Sequence, residues 1–246
     1  MENALACKSP YGPPPHETTP RFISVDAYIK THLHCSEKGY YDVLENINHD
    51  SLAAGAPDIA CSATQAKFLM LLARACNAKN ILEVGTMGGY SAAWMSTADP
   101  EVKVTTIERR PEFVELAAKN LAKAGLSSRV EILTGLALEV MPALLTEMRR
   151  KERAPFDFVF IDANKEDGLE YFTLAVEMAR PRAIIIVDNV IWNGKIASAD
   201  EAEKDARVKG IRKLIEGTGV NDLVDATAIQ TVGEKNYDGF LFAVKN

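Results

Sequence analysis

From residue 80 onward, short apolar runs alternate with longer segments in which apolar residues recur every three or four positions. The runs are 80–84 (NILEV), 102–108 (VKVTTIE), 130–134 (VEILT), 156–162 (FDFVFID) and 183–188 (AIIIVD). The last two carry unbroken aliphatic or aromatic stretches, the mark of strands covered on both faces. Helical spacing predicts helices over 90–97, 111–124, 136–149 and 166–180; the second opens on Pro111 and stops at Gly125. Such alternation with short links implies right-handed crossovers and a parallel sheet. After a helical 204–217, two β-rich runs, 224–232 and 239–245, are separated only by GEKNYD. That link is too short for a parallel crossover, so the two runs must pair antiparallel. The expected fold class is α/β: a seven-stranded, mostly parallel sheet with one antiparallel strand and helices on both faces.

Upstream of residue 80 the pattern is helical, over 22–49 and 62–77, the second opened by Ser62 as N-cap. Residues 1–20 are Pro-rich and read as a flexible arm. The expected organisation is that arm followed by one domain over 21–246, with N-terminal helices at 21–78 and an α/β core at 79–246.

Composition narrows the function classes. The chain has 246 residues, 47% of them hydrophobic, and a formal net charge of −6, which disfavours a protein that grips nucleic-acid backbones. Four scattered cysteines without a CxxC pair read as reduced thiols. No 18-residue apolar run and no signal-like start occur, so the expectation is a cytoplasmic protein with no membrane span. His32, His34, Cys35 and His49 lie close in sequence but lack zinc spacing, and RRKER at 149–153 reads as a solvated loop.

Candidate chemistry collects at the carboxyl ends of the strands, where open α/β sheets bind ligands. In ILEVGTMGGYS, Gly85, Gly88 and Gly89 follow a buried strand and precede a helix, which brings backbone N–H groups close to an anionic ligand. The spacing is not GxGxxG. Glu108 ends the second strand, where an acid can accept ribose hydroxyls. Asp162 in FIDANK and Asp188–Asn189 in VDNVIWNG offer hard oxygen ligands suited to Mg²⁺ or a similar divalent ion, and Lys165 stands three residues beyond Asp162 as a candidate general base.

EVGTMGGYS, Glu108, FIDANK and VDNVIWNG, in that order, resemble the cation-dependent O-methyltransferases that use S-adenosylmethionine, the group of catechol and caffeoyl-CoA O-methyltransferases and their fungal and bacterial relatives. The resemblance covers residues 55–246 and implies a Rossmann-like class I methyltransferase fold. It implies that Glu83, Gly85 and Ser91 hold the methionine end of S-adenosylmethionine, that Glu108 binds its ribose, and that Ala137 lies beside the adenine. The segment of Ile59 and Cys61 would close over the cofactor. Asp162, Asp188 and Asn189 would hold a divalent cation (Mg²⁺, with Ca²⁺ or Mn²⁺ as alternatives), Asp162 also bordering the cofactor. Lys165 with Asp162 would be catalytic, and Trp192 would wall the acceptor pocket. A catechol-like phenol such as a flavonoid, a free catechol or a caffeoyl derivative would be the acceptor, and relatives imply a homodimer. The chain departs from that pattern at Asn164, at ARPRA (179–183) and in the length of GEKNYDG. The competing readings are an NAD(P)-dependent oxidoreductase, disfavoured by the missing fingerprint, and a non-catalytic homologue, disfavoured by the retained Asp162, Lys165, Asp188 and Asn189.

Overall fold

A computed structural model describes residues 18–34 and 41–246. Seven strands form one sheet: β1 (Asn80–Val84), β2 (Lys103–Glu108), β3 (Val130–Thr134), β4 (Phe156–Ile161), β5 (Ala179–Asp188), β6 (Val224–Val232) and β7 (Tyr237–Lys245). Their order is β3-β2-β1-β4-β5-β7-β6. All neighbours from β3 to β5 run parallel, while β7 lies antiparallel to both β5 and β6. The expected seven-stranded sheet with one reversed strand is the one observed.

The helices are α1 (Pro20–Leu33), α2 (Tyr41–Ala53), α3 (Ala63–Ala75), α4 (Tyr90–Ser96), α5 (Pro111–Lys123), α6 (Ala137–Arg149), α7 (Gly168–Met178), α8 (Ala199–Lys204) and α9 (Ala206–Gly219). The two central strands show why their sequences do not alternate. On β4, Phe158 and Phe160 join a core with Leu69 of α3 and Trp94 of α4, whereas Val159 and Ile161 join the opposite core with Phe172 of α7 and Leu214 of α9. On β5, Ile186 takes the first side and Ile185 and Val187 the second. Successive side chains point to opposite faces, so helices on both faces demand an apolar residue at every position of Phe158–Ile161 and Ala183–Val187. Full burial of each such side chain stabilises by about 1.5–3 kcal/mol, which leaves no room for a polar residue until the strand ends.

Three boundaries differ from the sequence reading. The helix expected over 22–49 is two helices: α1 stops at the non-helical His34, and α2 starts at Tyr41 and continues to Ala53, with 35–40 outside the described residues. Thr19 caps α1 and Pro20 occupies its first turn, so the last residues of the expected arm belong to the fold, while residues 1–17 lie outside the description. Helix α7 ends at Met178 rather than 180, because β5 begins at Ala179. There Phe156 opposes Ala179 but Phe158 opposes Ile184, and Arg182 takes φ 63° to absorb the extra residues of ARPRA.

At the sheet's amino edge, Asp157 accepts from Lys79 N–H (2.7 Å) and Asn80 N–H (2.8 Å) and pairs with Arg180. This ties β1, β4 and β5 together at one end and leaves their opposite ends free to carry ligand-binding groups.

Candidate active site

The β1 end and the β4 end meet at Gly85. This residue has φ 103°, and a Cβ there would lie 2.1 Å from the Asp162 carbonyl oxygen, so only glycine fits. Asp162 N–H in turn donates to the Val84 carbonyl (2.8 Å). Beyond Gly85 the turn is held by Glu108 at the end of β2, whose carboxylate accepts from Met87 N–H (2.9 Å) and Arg110 N–H (3.0 Å). Gly135 N–H donates to the Glu108 carbonyl (2.9 Å), which brings Ala137, first residue of α6, to the same corner.

Glu83 is fully buried and accepts from the Ser91 and Thr106 hydroxyls. Burial, reinforced by the charges of Asp162 and Glu108, pushes its carboxyl up to about 8. Cys61, on the segment between α2 and α3, lies close enough to Asp188, Asp162 and Glu83 for their charges to act on it. Burial first, then those carboxylates, drive its thiol well above the usual range. Ile59 precedes it with an exposed side chain.

At the end of β4, Lys165 opens a single helical turn, Lys165–Asp167. Its ammonium donates to Asp162 Oδ1 (2.7 Å) and to the Asp188 carbonyl (3.2 Å), joining two adjacent strand ends. Asp188 is buried, and burial together with Asp162 raises its carboxyl to about 7 against the pull of Lys165 and a hydrogen bond from Gln65. Asn189 follows in a left-handed conformation (φ 58°). The half-buried Trp192 carries the Arg207 guanidinium over its ring at 5.1 Å.

The structure thus brings Cys61, Glu83, Gly85, Ser91, Glu108, Asp162, Lys165, Asp188 and Asn189 to one edge of the sheet, with Ile59, Ala137 and Trp192 around it. Gln65, Thr106 and Asp238 were missed from sequence. Gln65 is three residues past the Ser62 cap, so α3 starts against the site; Thr106 lies inside a strand, with no local signal. Nearby, a cavity of about 360 Å³ is lined by Glu45, Asp58, Cys61, Ser62 and Tyr90, among others.

Among the described residues, no group of three or more His, Cys, Asp or Glu side chains is disposed to hold a metal ion, and no helix is long and apolar enough to cross a membrane. His34 is buried beside Tyr41 and Trp94, and Cys7 and Cys35 lie outside the described residues. Within RRKER, Arg153 is not solvated as expected: it pairs with Glu131 (3.0 Å) and Glu147 (2.9 Å).

Residues 34–232 match a family model described as O-methyltransferase. The chain is 41% identical to the O-methyltransferase imqG of Aspergillus flavus over 225 residues, covering 92% of this chain and 91% of that one. It is 44% identical to a catechol O-methyltransferase of Niastella koreensis, over 91% of this chain and 97% of that one. An O-methyltransferase from Bacillus cereus, solved in complex with SAH, superposes with a TM-score of 0.84 at 39% identity, covering 92% of this chain and 99% of that one. With the family model spanning most of its length and these relatives matching nearly end to end, the chain belongs to the O-methyltransferase family.

Proposed function

We propose that the protein transfers the methyl group of S-adenosylmethionine to one hydroxyl of a vicinal diol on a small phenolic acceptor, assisted by a divalent cation, Mg²⁺ first, held by Asp162, Asp188 and Asn189. The observation that carries this reading is the junction of Asp162, Lys165 and Asp188 on two neighbouring strand ends beside the glycine turn. The similarity to a catechol O-methyltransferase supports the acceptor class.

The donor set fits a hard dication. Asp162 accepts from the Lys165 ammonium, which also reaches the Asp188 main-chain carbonyl, and burial first, then the charge of Asp162, raises the Asp188 carboxyl. An amide oxygen from Asn189 completes an all-oxygen set of the kind Mg²⁺ takes with retained waters. When bound, the cation lowers the pKa of a diol hydroxyl that it coordinates.

The chain's own residues supply the rest. A phenol with a pKa of about 10 is a poor nucleophile at neutral pH, so its proton is taken by Lys165 in the neutral amine form, after the ammonium has released its own proton to solvent. Glu83, Ser91 and the N–H groups of the Gly85–Gly89 turn hold the methionine end of the cofactor, Glu108 its ribose, and Ala137 its adenine, under the segment of Ile59 and Cys61. The methyl is already activated on a sulfonium, and the remaining task is alignment with the attacking oxygen. A cysteine thiolate here would compete for that methyl, but Cys61 is kept a neutral thiol by burial and the surrounding carboxylates. Trp192 walls the acceptor.

The apolar residues exposed on α3 (Phe68, Leu71) and on the sheet-edge strand β6 (Ile229, Val232) support association as a homodimer, which sedimentation equilibrium tests. For the main reading, Asp162→Ala and Asp188→Ala should each abolish transfer to catechol while S-adenosylmethionine still binds. Full activity in either variant contradicts it.

A further inference from the structure

Beyond β5 the chain bends sharply. Asn189 (φ 58°), Trp192 (51°), Asn193 (54°) and Gly194 (74°) all take the left-handed conformation, which residues bearing a Cβ rarely adopt and bulky ones such as Trp more rarely than Asn. Such a conformation persists only where the surroundings over-determine it. Here the surroundings are the first residues of β7. Val190 N–H donates to the Gly239 carbonyl (3.0 Å) and Asn193 N–H to the Tyr237 carbonyl (3.2 Å). The two N–H groups between them meet a side chain: Asp238 Oδ1 accepts from Ile191 N–H (3.0 Å), from Trp192 N–H (2.9 Å) and from Gly239 N–H (2.9 Å).

Asp238 is buried, so these three N–H groups are its substitute for water. The loop packs onto bare backbone: a Cβ at Gly239 would lie 2.6 Å from Ile191 Cγ1 and 2.1 Å from the Ile229 carbonyl. Between Asn189 and Trp192 the chain is held by the Gly239 carbonyl at Val190 and by one Asp238 oxygen at both Ile191 and Trp192; Asn189 and Trp192 are the two residues of this loop that face the reaction in the reading above.

We propose that Asp238 is a positioning residue for methyl transfer: through the Ile191 and Trp192 N–H groups its Oδ1 fixes where the Asn189 and Trp192 side chains stand at the acceptor. This rests on the function proposed above for those two residues. The alternative is that Asp238 acts by its charge, since Asp188 and Lys165 lie within its electrostatic reach.

Two variants separate position from charge. Asp238→Asn keeps an oxygen in place and removes the charge; Asp238→Glu keeps the charge and moves the oxygen by one methylene. The full-length proteins are compared by kcat and KM for catechol, by SAH titration calorimetry, by Mn²⁺ titration without acceptor, and by the near-UV circular dichroism that Trp192→Phe removes from each. The Asn variant should stay within fivefold of wild type in kcat/KM and keep the Trp192 signal. The Glu variant should lose at least 20-fold in kcat/KM for catechol, bind Mn²⁺ at least fivefold more weakly and lose the Trp192 signal, with SAH affinity within twofold. A Glu variant as active as wild type, an Asn variant that is inactive or does not fold, or SAH affinity falling in step with catechol turnover each overturns the proposal. Should wild type fail to methylate catechol, the proposed function fails, and the Trp192 signal still decides whether Asp238 sets the loop.

Discussion

Glu83→Gln separates what the buried acid at the end of β1 does for folding from what it does for binding. Glu83 is fully buried, and its carboxyl is raised from 4.5 to about 8, first by burial. In the unfolded chain the group ionises near 4.5, so between 4.5 and 8 the folded state holds one proton more than the unfolded state. Its contribution to stability is fully present below 4.5 and is lost as pH rises through 8, at about 1.4 kcal/mol per pH unit. Over 3.5 units (8 − 4.5) this reaches about 5 kcal/mol. Glutamine matches the shape and never ionises, at the loss of about 1 kcal/mol for one rearranged hydrogen bond to Ser91 or Thr106. Urea denaturation of the ligand-free wild type and variant at pH 5, 7 and 9 gives the difference directly. Shared effects of other groups, Asp188 included, largely cancel in it. The variant should be level with or slightly less stable than wild type at pH 5, and more stable by at least about 2 kcal/mol at pH 9. SAH should bind it at least tenfold more weakly. Parallel stability curves from pH 5 to 9 would refute the raised Glu83.

Gly85→Ala places a methyl 2.1 Å from the Asp162 carbonyl at φ 103°; it should destabilise by about 3 kcal/mol or more in urea melts and eliminate SAH binding by calorimetry. Lys165→Met should lower kcat for catechol by about a hundredfold or more with SAH affinity within about twofold, because the proposed general base is lost while the glycine turn is intact. Asp26→Ala removes the acceptor of Glu234 N–H (2.7 Å), one of the bonds that clasp α1 to the β6–β7 turn alongside Lys30–Glu234 (2.8 Å). The loss should be about 1–2 kcal/mol, with faster hydrogen exchange in α1 and unchanged exchange in β4.

Much of this site is legible in the chain because strand ends announce themselves. A continuous run such as Ile184–Val187 has to be buried on both faces, so Asp188 and Asn189 mark where the strand reaches the sheet edge that carries the candidate site. Asp162 ends β4 in the same way, and β1 ends at the glycine turn. Local signals also gave the antiparallel β6–β7 pair, since a short link permits nothing else. What stayed hidden depends on contacts distant in sequence. Gln65 reaches Asp188, and Asp238 reaches Ile191 and Trp192, only because the fold puts α3 and β7 there. The end of α1 at the non-helical His34 escaped the reading of 22–49 as one helix. ARPRA was recognised as altered turn geometry, but its bulge into β5 is visible only in the register with Phe156 and Phe158.

Cation-assisted transfer to a vicinal diol is tested most directly by methyl-transfer measurements on a panel of vicinal and isolated phenols, in Mg²⁺ and again in excess EDTA. The account predicts mono-methylation of the vicinal diols in Mg²⁺, loss of that activity in EDTA with recovery on adding Mg²⁺ back, and little transfer to isolated phenols in either condition. Undiminished methylation in EDTA, or isolated phenols methylated as fast as catechol, would contradict it.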